Sequence, residues 1–170
     1  MATCAVAQTG PDRGAEATAL GALPSHVADF GVRAALTSNH LTGGNAVKGQ
    51  WISVSEQKHL AIGLNLAAAT GNSAAIPQIL ESINWTFAQM NADGSWPLFN
   101  ATTYAPITNG RSIATAASAF LVELVPAIMT LQTRYRGYGP QLKPIKEKIV
   151  VAAKFCFARR DGMFQQADGA

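Results

Sequence analysis

One short pattern, Asp-Gly-x-aromatic, does most to restrict what this chain can fold into. It occurs as Asp93-Gly94-Ser95-Trp96 and again as Asp161-Gly162-Met163-Phe164, 68 residues apart. Each copy follows an apolar-periodic run, and Phe87-Ala88-Gln89 before the first superposes on Phe157-Ala158-Arg159 before the second. An Asp side chain can accept backbone N–H bonds, Gly admits a positive φ, and an aromatic two residues on can fold back over a helix end. Gln89 can serve the open carbonyls of that end or the turn backbone. The pattern therefore reads as a structural clasp that closes a helix. Its period is long for a helix hairpin, and the loops at 97–111 and 132–142 account for the excess.

Between these marks the apolar spacing is helical. Pro24-Ser25 opens a short helix with Val27, Phe30, Val32 and Leu36 on its apolar side, and 41–49 is a loop. Ser53 or Ser55 caps the next helix, with Glu56 reaching back in the first case, and Thr70-Gly71-Asn72 stops it. Leu60, Ile62, Leu64, Leu66 and Ala67 make it apolar nearly all round, so it should be buried. The following helix, capped by Ser73 with Pro77 in its first turn, sets Ile79, Leu80, Ile83, Phe87 and Met90 against a polar side of Gln78, Glu81, Ser82 and Asn84. Ser112 then caps a long helix, Ile113 to Leu131, also buried and kinked at Pro126. Lys143-Pro144 begins the last, Ile145 to Arg159, with Ile145, Ile149, Ala152, Ala153 and Cys156 inward. Buried, amphipathic, buried, amphipathic is the order of a two-layer helical array. The fold class is all-α, with a flexible N-terminal arm over 1–23 and a helical domain over 24–170.

A content of 48% hydrophobic residues supports a sizeable core, while 14% charged residues leave a surface that must be neutral polar or covered by neighbours. The net charge of +3 is scattered, without a basic stripe interleaved with aromatics, which argues against a nucleic-acid partner. The densest basic stretch, Arg134 to Lys154, reads as the solvated face of a helix and its leading loop. Cys4 and Cys156 cannot make a disulfide framework, and Cys156 reads as a buried free thiol. Asn65, Gly71 and Glu123 interrupt the Ala-rich runs, so no membrane span is expected. Ala5-Val6-Ala7 has the small-residue look of an export cleavage site, with no charged or apolar region ahead of it.

Gln89-x-x-x-Asp93-Gly94-Ser95-Trp96 resembles the Gln-Trp motif of squalene-hopene cyclases and the repeat turn of several polysaccharide lyases, both of them α/α-toroid enzymes. Its continuation, through Pro97-Leu98-Phe99 to Tyr104 and Ile107-Thr108-Asn109, is similar to the stretch after the Gly-Gly-Trp-Pro turn of the family 10 pectate lyases. The likeness covers residues 53–131. It implies a helical-hairpin array forming part of an incomplete α/α toroid, in a segment of a carbohydrate-active enzyme of the polysaccharide-lyase type. It also implies an acidic polysaccharide as partner; an extracellular or periplasmic location is favoured over a cytosolic one, which the N-terminus leaves open. The turn itself would be scaffold, with the chemistry farther along the chain.

A lyase takes a proton beside a uronate carboxyl, so it needs a base and a donor or cation to hold the acid. The residues available for substrate binding at the inner-helix mouths are His59, Tyr104, Asn109 and Arg111, with Trp51 and Trp96 as sugar-stacking faces. No catalytic residue is assigned. His59 reads first as a core histidine and Trp96 first as part of the clasp, whereas Arg111 stands at a helix start where the dipole disfavours a cation. In an alternative reading, a terpenoid cyclase or prenyltransferase-like toroid, Ile113, Ala117, Phe120 and Leu124 would face an isoprenoid, but the chain has no Asp-x-Asp-Asp acid motif. A non-catalytic helical interaction module is the third reading and needs no site residues. Asp93, Cys156 and His59 lack zinc-ligand spacing, so neither metal nor cofactor is expected. Of the glycosylation triplets at Asn84 and Asn100, the loop residue Asn100 is the plausible acceptor. Two hairpins and a leading helix cannot close a ring, so the chain reads as a fragment. An open apolar edge beside the Ile113–Leu131 helix is expected, to be covered by self-association or by the remainder of a longer chain.

Overall fold

The computed structural model describes residues 13–37 and 51–159. Among these are six helices: α1 (Arg13–Gly21), α2 (Ser25–Thr37), α3 (Lys58–Thr70), α4 (Ile76–Ala88), α5 (Gly110–Arg134) and α6 (Gly139–Phe157), with 3-10 turns at Val54–Gln57 and Arg136–Tyr138. The described residues are all-α, and their extended pairing is an isolated bridge between Phe99 and Pro106.

Contacts at the helix ends fix the directions. The Phe99 N–H donates to the Ile52 carbonyl at 2.9 Å and Trp51 Nε1 to the Pro97 carbonyl at 2.7 Å, so the segments entering α3 and α5 lie side by side. At the opposite ends Gly21 stands against both Ala69 of α3 and Arg134 of α5. Helices α3 and α5 are therefore parallel neighbours. The same holds for α4 and α6: Pro77 to Asn84 share a cleft with Gln141, and Gly94 beyond α4 meets Val151. Trp85 near the end of α4 packs on Trp51 ahead of α3, and Cys156 near the end of α6 reaches the Ala114 carbonyl near the start of α5. Each consecutive pair is thus an antiparallel hairpin. Helix α2 also runs against α3, with Gly31 at Leu66 and Ala35 at Gly63, and lies beside α4. One layer is α3 and α5; the other is α2, α4 and α6.

The chain's small residues set the closeness of this packing. A side chain at Gly63 would run into Ala35 and one at Gly31 into Leu66, so α2 and α3 approach through glycine and alanine. Larger side chains fill the space between the layers: Leu60, Leu64, Ile83, Phe87, Phe120 and Leu124 are all buried. Each contributes about 1.5–3 kcal/mol relative to exposure.

The Asp93 turn is assembled as its residue chemistry requires. Asp93 Oδ1 accepts from the Ser95 N–H at 3.0 Å and from Ser95 Oγ at 2.6 Å. Gly94 sits at φ 90°, and the Asn91 N–H returns to the Ser95 carbonyl at 2.8 Å. Trp96 then folds into the core, donating Nε1 to the Thr86 carbonyl at 2.8 Å, with Phe87 and Phe120 at ring distances of 5.5 and 6.1 Å. Gln89 Nε2 reaches the Trp85 carbonyl of its own helix at 3.5 Å. The second copy of the pattern, 161–164, lies outside the described residues, as do Cys4 and the Ala5-Val6-Ala7 segment.

Several expectations change. Within the 1–23 arm, residues 13–21 form α1, which packs on α3 and α5 and buries Ala17; its alanines favour helix even without a clear apolar period. Helix α5 begins at Gly110 because Asn109, not Ser112, accepts the Arg111 N–H at 2.9 Å. It is not buried all round: α3, α6 and α1 pack on it, yet Val122, Val125 and Met129 are exposed. Helix α6 starts earlier, at Gly139, with Pro140 in the first turn where a missing N–H is harmless, and Pro144 lies inside it. Helix α4 begins at Ile76 with Pro77 in its first turn, and Ser73 makes no cap there. By length and composition α5 could cross a bilayer, and half of its apolar stretch is buried against the other helices.

Candidate functional site

The joined N-ends of α3 and α5 leave a cleft of about 490 Å³. One wall is the entry to α3, Ile52, Ser53, Ser55 and Glu56. The other is a stripe of α5, Ser112, Thr115, Ala116 and Ala119, with Leu98 and Phe99 from the intervening loop. Both walls follow from local sequence. Ser53 Oγ accepts the Ser55 N–H at 3.2 Å and shares a 2.8 Å hydrogen bond with Ser55 Oγ, which fixes the 3-10 turn that presents Glu56. On α5 the spacing i, i+3, i+4, i+7 places small residues on one face, leaving room where larger ones would close the groove.

Hydroxyls from Ser53, Ser55, Ser112 and Thr115 offer both donors and acceptors, and Glu56 is the charged group of the lining. Ile52, Leu98, Phe99 and the alanines supply an apolar shelf. The start of α5 carries the positive end of its dipole toward the same space. This arrangement can hold a polyhydroxylated molecule with one apolar face.

None of the six residues singled out from the sequence is among the lining residues of the cleft. Trp51 is half-buried, donating to Pro97 and packed on Trp85 at 5.8 Å, so it ties the two walls together. Asn109 caps α5. His59 Nδ1 is 2.6 Å from the Glu56 carbonyl, and burial holds its pKa below the ordinary value against the opposing pull of Glu56. Tyr104 is half-buried in the 99–106 hairpin at φ 56°, a left-handed position imposed by the turn. Arg111 is exposed at the first turn of α5. Trp96 is not a sugar platform: 1% of it is exposed, and its ring and N–H are both committed to the core. Ala117, Phe120 and Leu124 are likewise packed in the core.

Among the described residues no group of three or more His, Cys, Asp or Glu is placed to hold a metal ion. Cys156 is a buried free thiol that donates to the Ala114 carbonyl at 3.6 Å. Asn100 is exposed, and its Oδ1 accepts the N–H groups of Thr102 and Thr103, both at 2.9 Å. The lining residues Ser53, Ser55 and Ser112 were readable only as helix caps, and Glu56 as a capping partner. The signal that could have identified them is the small, polar face of α5 opposite its apolar stripe.

No protein-family model, curated protein or solved structure matches the chain.

Proposed function

We propose that the chain is a helical-hairpin binding module that takes a carbohydrate in the cleft between the N-ends of α3 and α5. The observation that carries this reading is the lining itself: four hydroxyl side chains and one carboxylate around an apolar shelf that includes Phe99. Vicinal sugar hydroxyls pair with a carboxylate and with hydroxyls, and the apolar face of a sugar ring packs on aliphatic and aromatic carbon. The lining favours a neutral glycan over the acidic one that the lyase resemblance implies, because Glu56 would repel a uronate. A β-elimination would need His59 and Arg111 to meet over one substrate, and neither borders the cleft. Binding is therefore the reading we favour over chemistry.

The test is a titration with neutral oligosaccharides and with oligogalacturonate, followed by tryptophan fluorescence, since Trp51 adjoins the cleft wall. Neutral ligands should bind saturably, and Ala119→Phe, which fills the groove from an exposed position, should abolish the response. Glu56→Gln should weaken binding of neutral sugars. No saturable response to any glycan, or one that Ala119→Phe leaves intact, would overturn the proposal. An oligogalacturonate preference with an unsaturated product would restore the lyase reading.

A further inference from the structure

We infer that Trp51 sets the width of the cleft and thereby selects which neutral glycan it admits, as a positioning residue that the ligand does not touch. The inference rests on the carbohydrate reading and adds to it the residue that decides between sugars. The mouth of the cleft lies where the segment entering α3 meets the loop leading to α5. Two hydrogen bonds join them there: Trp51 Nε1 donates to the Pro97 carbonyl at 2.7 Å, and the Phe99 N–H to the Ile52 carbonyl at 2.9 Å. Ile52 and Phe99 line the cleft, whereas Trp51 and Pro97 do not. The Phe99 bond is backbone to backbone, so the Trp51 bond is the one that a side chain controls.

Both partners of the indole bond are pinned by adjacent residues in the last turn of α4. Trp51 packs on the Trp85 ring at 5.8 Å. Trp96, which precedes Pro97, is buried and donates its own Nε1 to the Thr86 carbonyl at 2.8 Å. The Trp51 bond therefore joins two points already fixed to one helical turn. It holds Ser53, Ser55 and Glu56 at a set spacing from Leu98 and Phe99. A sugar ring lying on the Phe99 shelf must bring its hydroxyls within hydrogen-bond reach of the serines and Glu56, and those bonds weaken steeply as the walls part. A closed mouth favours a ring that carries only hydroxyls, and a wider one admits an acetamido group. Indole suits the position because a phenyl ring could pack on Trp85 but would carry no donor for Pro97.

Replacing Trp51 by benzothienylalanine, which keeps the shape of indole with sulfur in place of the N–H, removes this bond and leaves the packing on Trp85. Amide hydrogen exchange followed by NMR reads the mouth without a ligand. Protection of the Phe99 amide should fall about tenfold, while amides of α3 and of the Asp93 turn keep theirs. In calorimetric titrations cellotriose should bind about tenfold more weakly, a loss of the size of one hydrogen bond. Its N-acetylated counterpart should lose less, so the ratio of the two affinities shifts toward the bulkier sugar. Trp51→Phe should shift the ratio in the same direction. Unchanged exchange at Phe99, or a loss shared by the α3 amides, would overturn the inference, because Trp51 would then be inert or merely structural. A wild type that binds neither sugar defeats the carbohydrate reading and this role with it. Wild-type binding with an unchanged affinity ratio in the variants defeats the role of Trp51 alone.

Discussion

Replacing Gly94 by alanine should destabilise the fold far more than the same change at Gly71, although both glycines have positive φ. Gly71, at φ 84°, ends α3, and a Cβ there would have nothing within 4 Å. Its substitution carries only the left-handed penalty, about 1–2 kcal/mol for an L-residue. Gly94, at φ 90°, carries that penalty too, but its Cβ would stand 2.6 Å from the Val151 carbonyl oxygen, 2.9 Å from its carbon and 3.1 Å from Ala152 Cα. These are backbone atoms of α6, so relief requires the turn and the helix to separate. Overpacking of that kind adds about 1–3 kcal/mol. Gly94→Ala should therefore lose roughly 3–4 kcal/mol, and at ~3 °C per kcal/mol its melting temperature should fall by about 10 °C. Gly71→Ala should fall by about 4 °C on the same scale. Urea and thermal melts followed by far-UV circular dichroism measure both. Equal losses for the two variants would refute the claim that close approach of the Asp-Gly turn to α6 joins the two hairpins.

Other changes test the remaining parts. Trp96→Phe keeps a ring in the core but leaves the Thr86 carbonyl without its indole donor, which should cost about 2 kcal/mol in the same melts; a loss near zero would remove the clasp's hydrogen bond from the account. The hydrogen bonds from Ser95 hold the Asp93 carboxyl below its ordinary value, so its stabilising effect is present above the unfolded pKa and lost as pH falls through the folded one. Asp93→Asn should flatten the acid limb of the stability curve, an effect kept small by the exposure of the group. Burial lowers the His59 pKa, so the unfolded chain takes up the proton first and stability falls as pH drops below the ordinary value of 6.5, levelling off below the folded value. His59→Gln should remove that slope, as urea melts at a series of pH values would reveal.

The hairpins were legible because their stop signals are chemical. Gly71 adopts the left-handed cap that Thr70-Gly71-Asn72 announces, and Asp93-Gly94-Ser95-Trp96 makes the bonds its side chains permit. Helix starts were less legible. Asn109 and Ser112 are both good caps, and only the path of the 99–106 hairpin decides that Asn109 takes the role. Pro144 marked the start of α6 by local preference, yet Pro140 supplies an equivalent start a turn earlier and tertiary packing of Leu142 extends the helix. Periodicity also reports that a face is apolar, not whether a neighbour covers it. The same alternation therefore describes α3, whose apolar residues are buried apart from Ile62, and α5, which exposes Val122, Val125 and Met129. The candidate site was legible only as a location. The N-ends of α3 and α5 do carry a cleft, but its lining comes from residues whose types fit caps and small-residue packing equally well, while of the residues that drew attention Trp51 ties its walls together.

The carbohydrate cleft is the central claim, and amide chemical-shift mapping of the isotope-labelled chain against a neutral oligosaccharide tests it most directly. The account predicts that shifts concentrate at Ser53, Ser55, Glu56 and Phe99 on one wall and at Ser112, Thr115 and Ala119 on the other, saturate together, and leave α2 and the outer face of α4 unmoved. Shifts confined to the exposed faces of α2 and α6, or absent at saturating ligand, would contradict it.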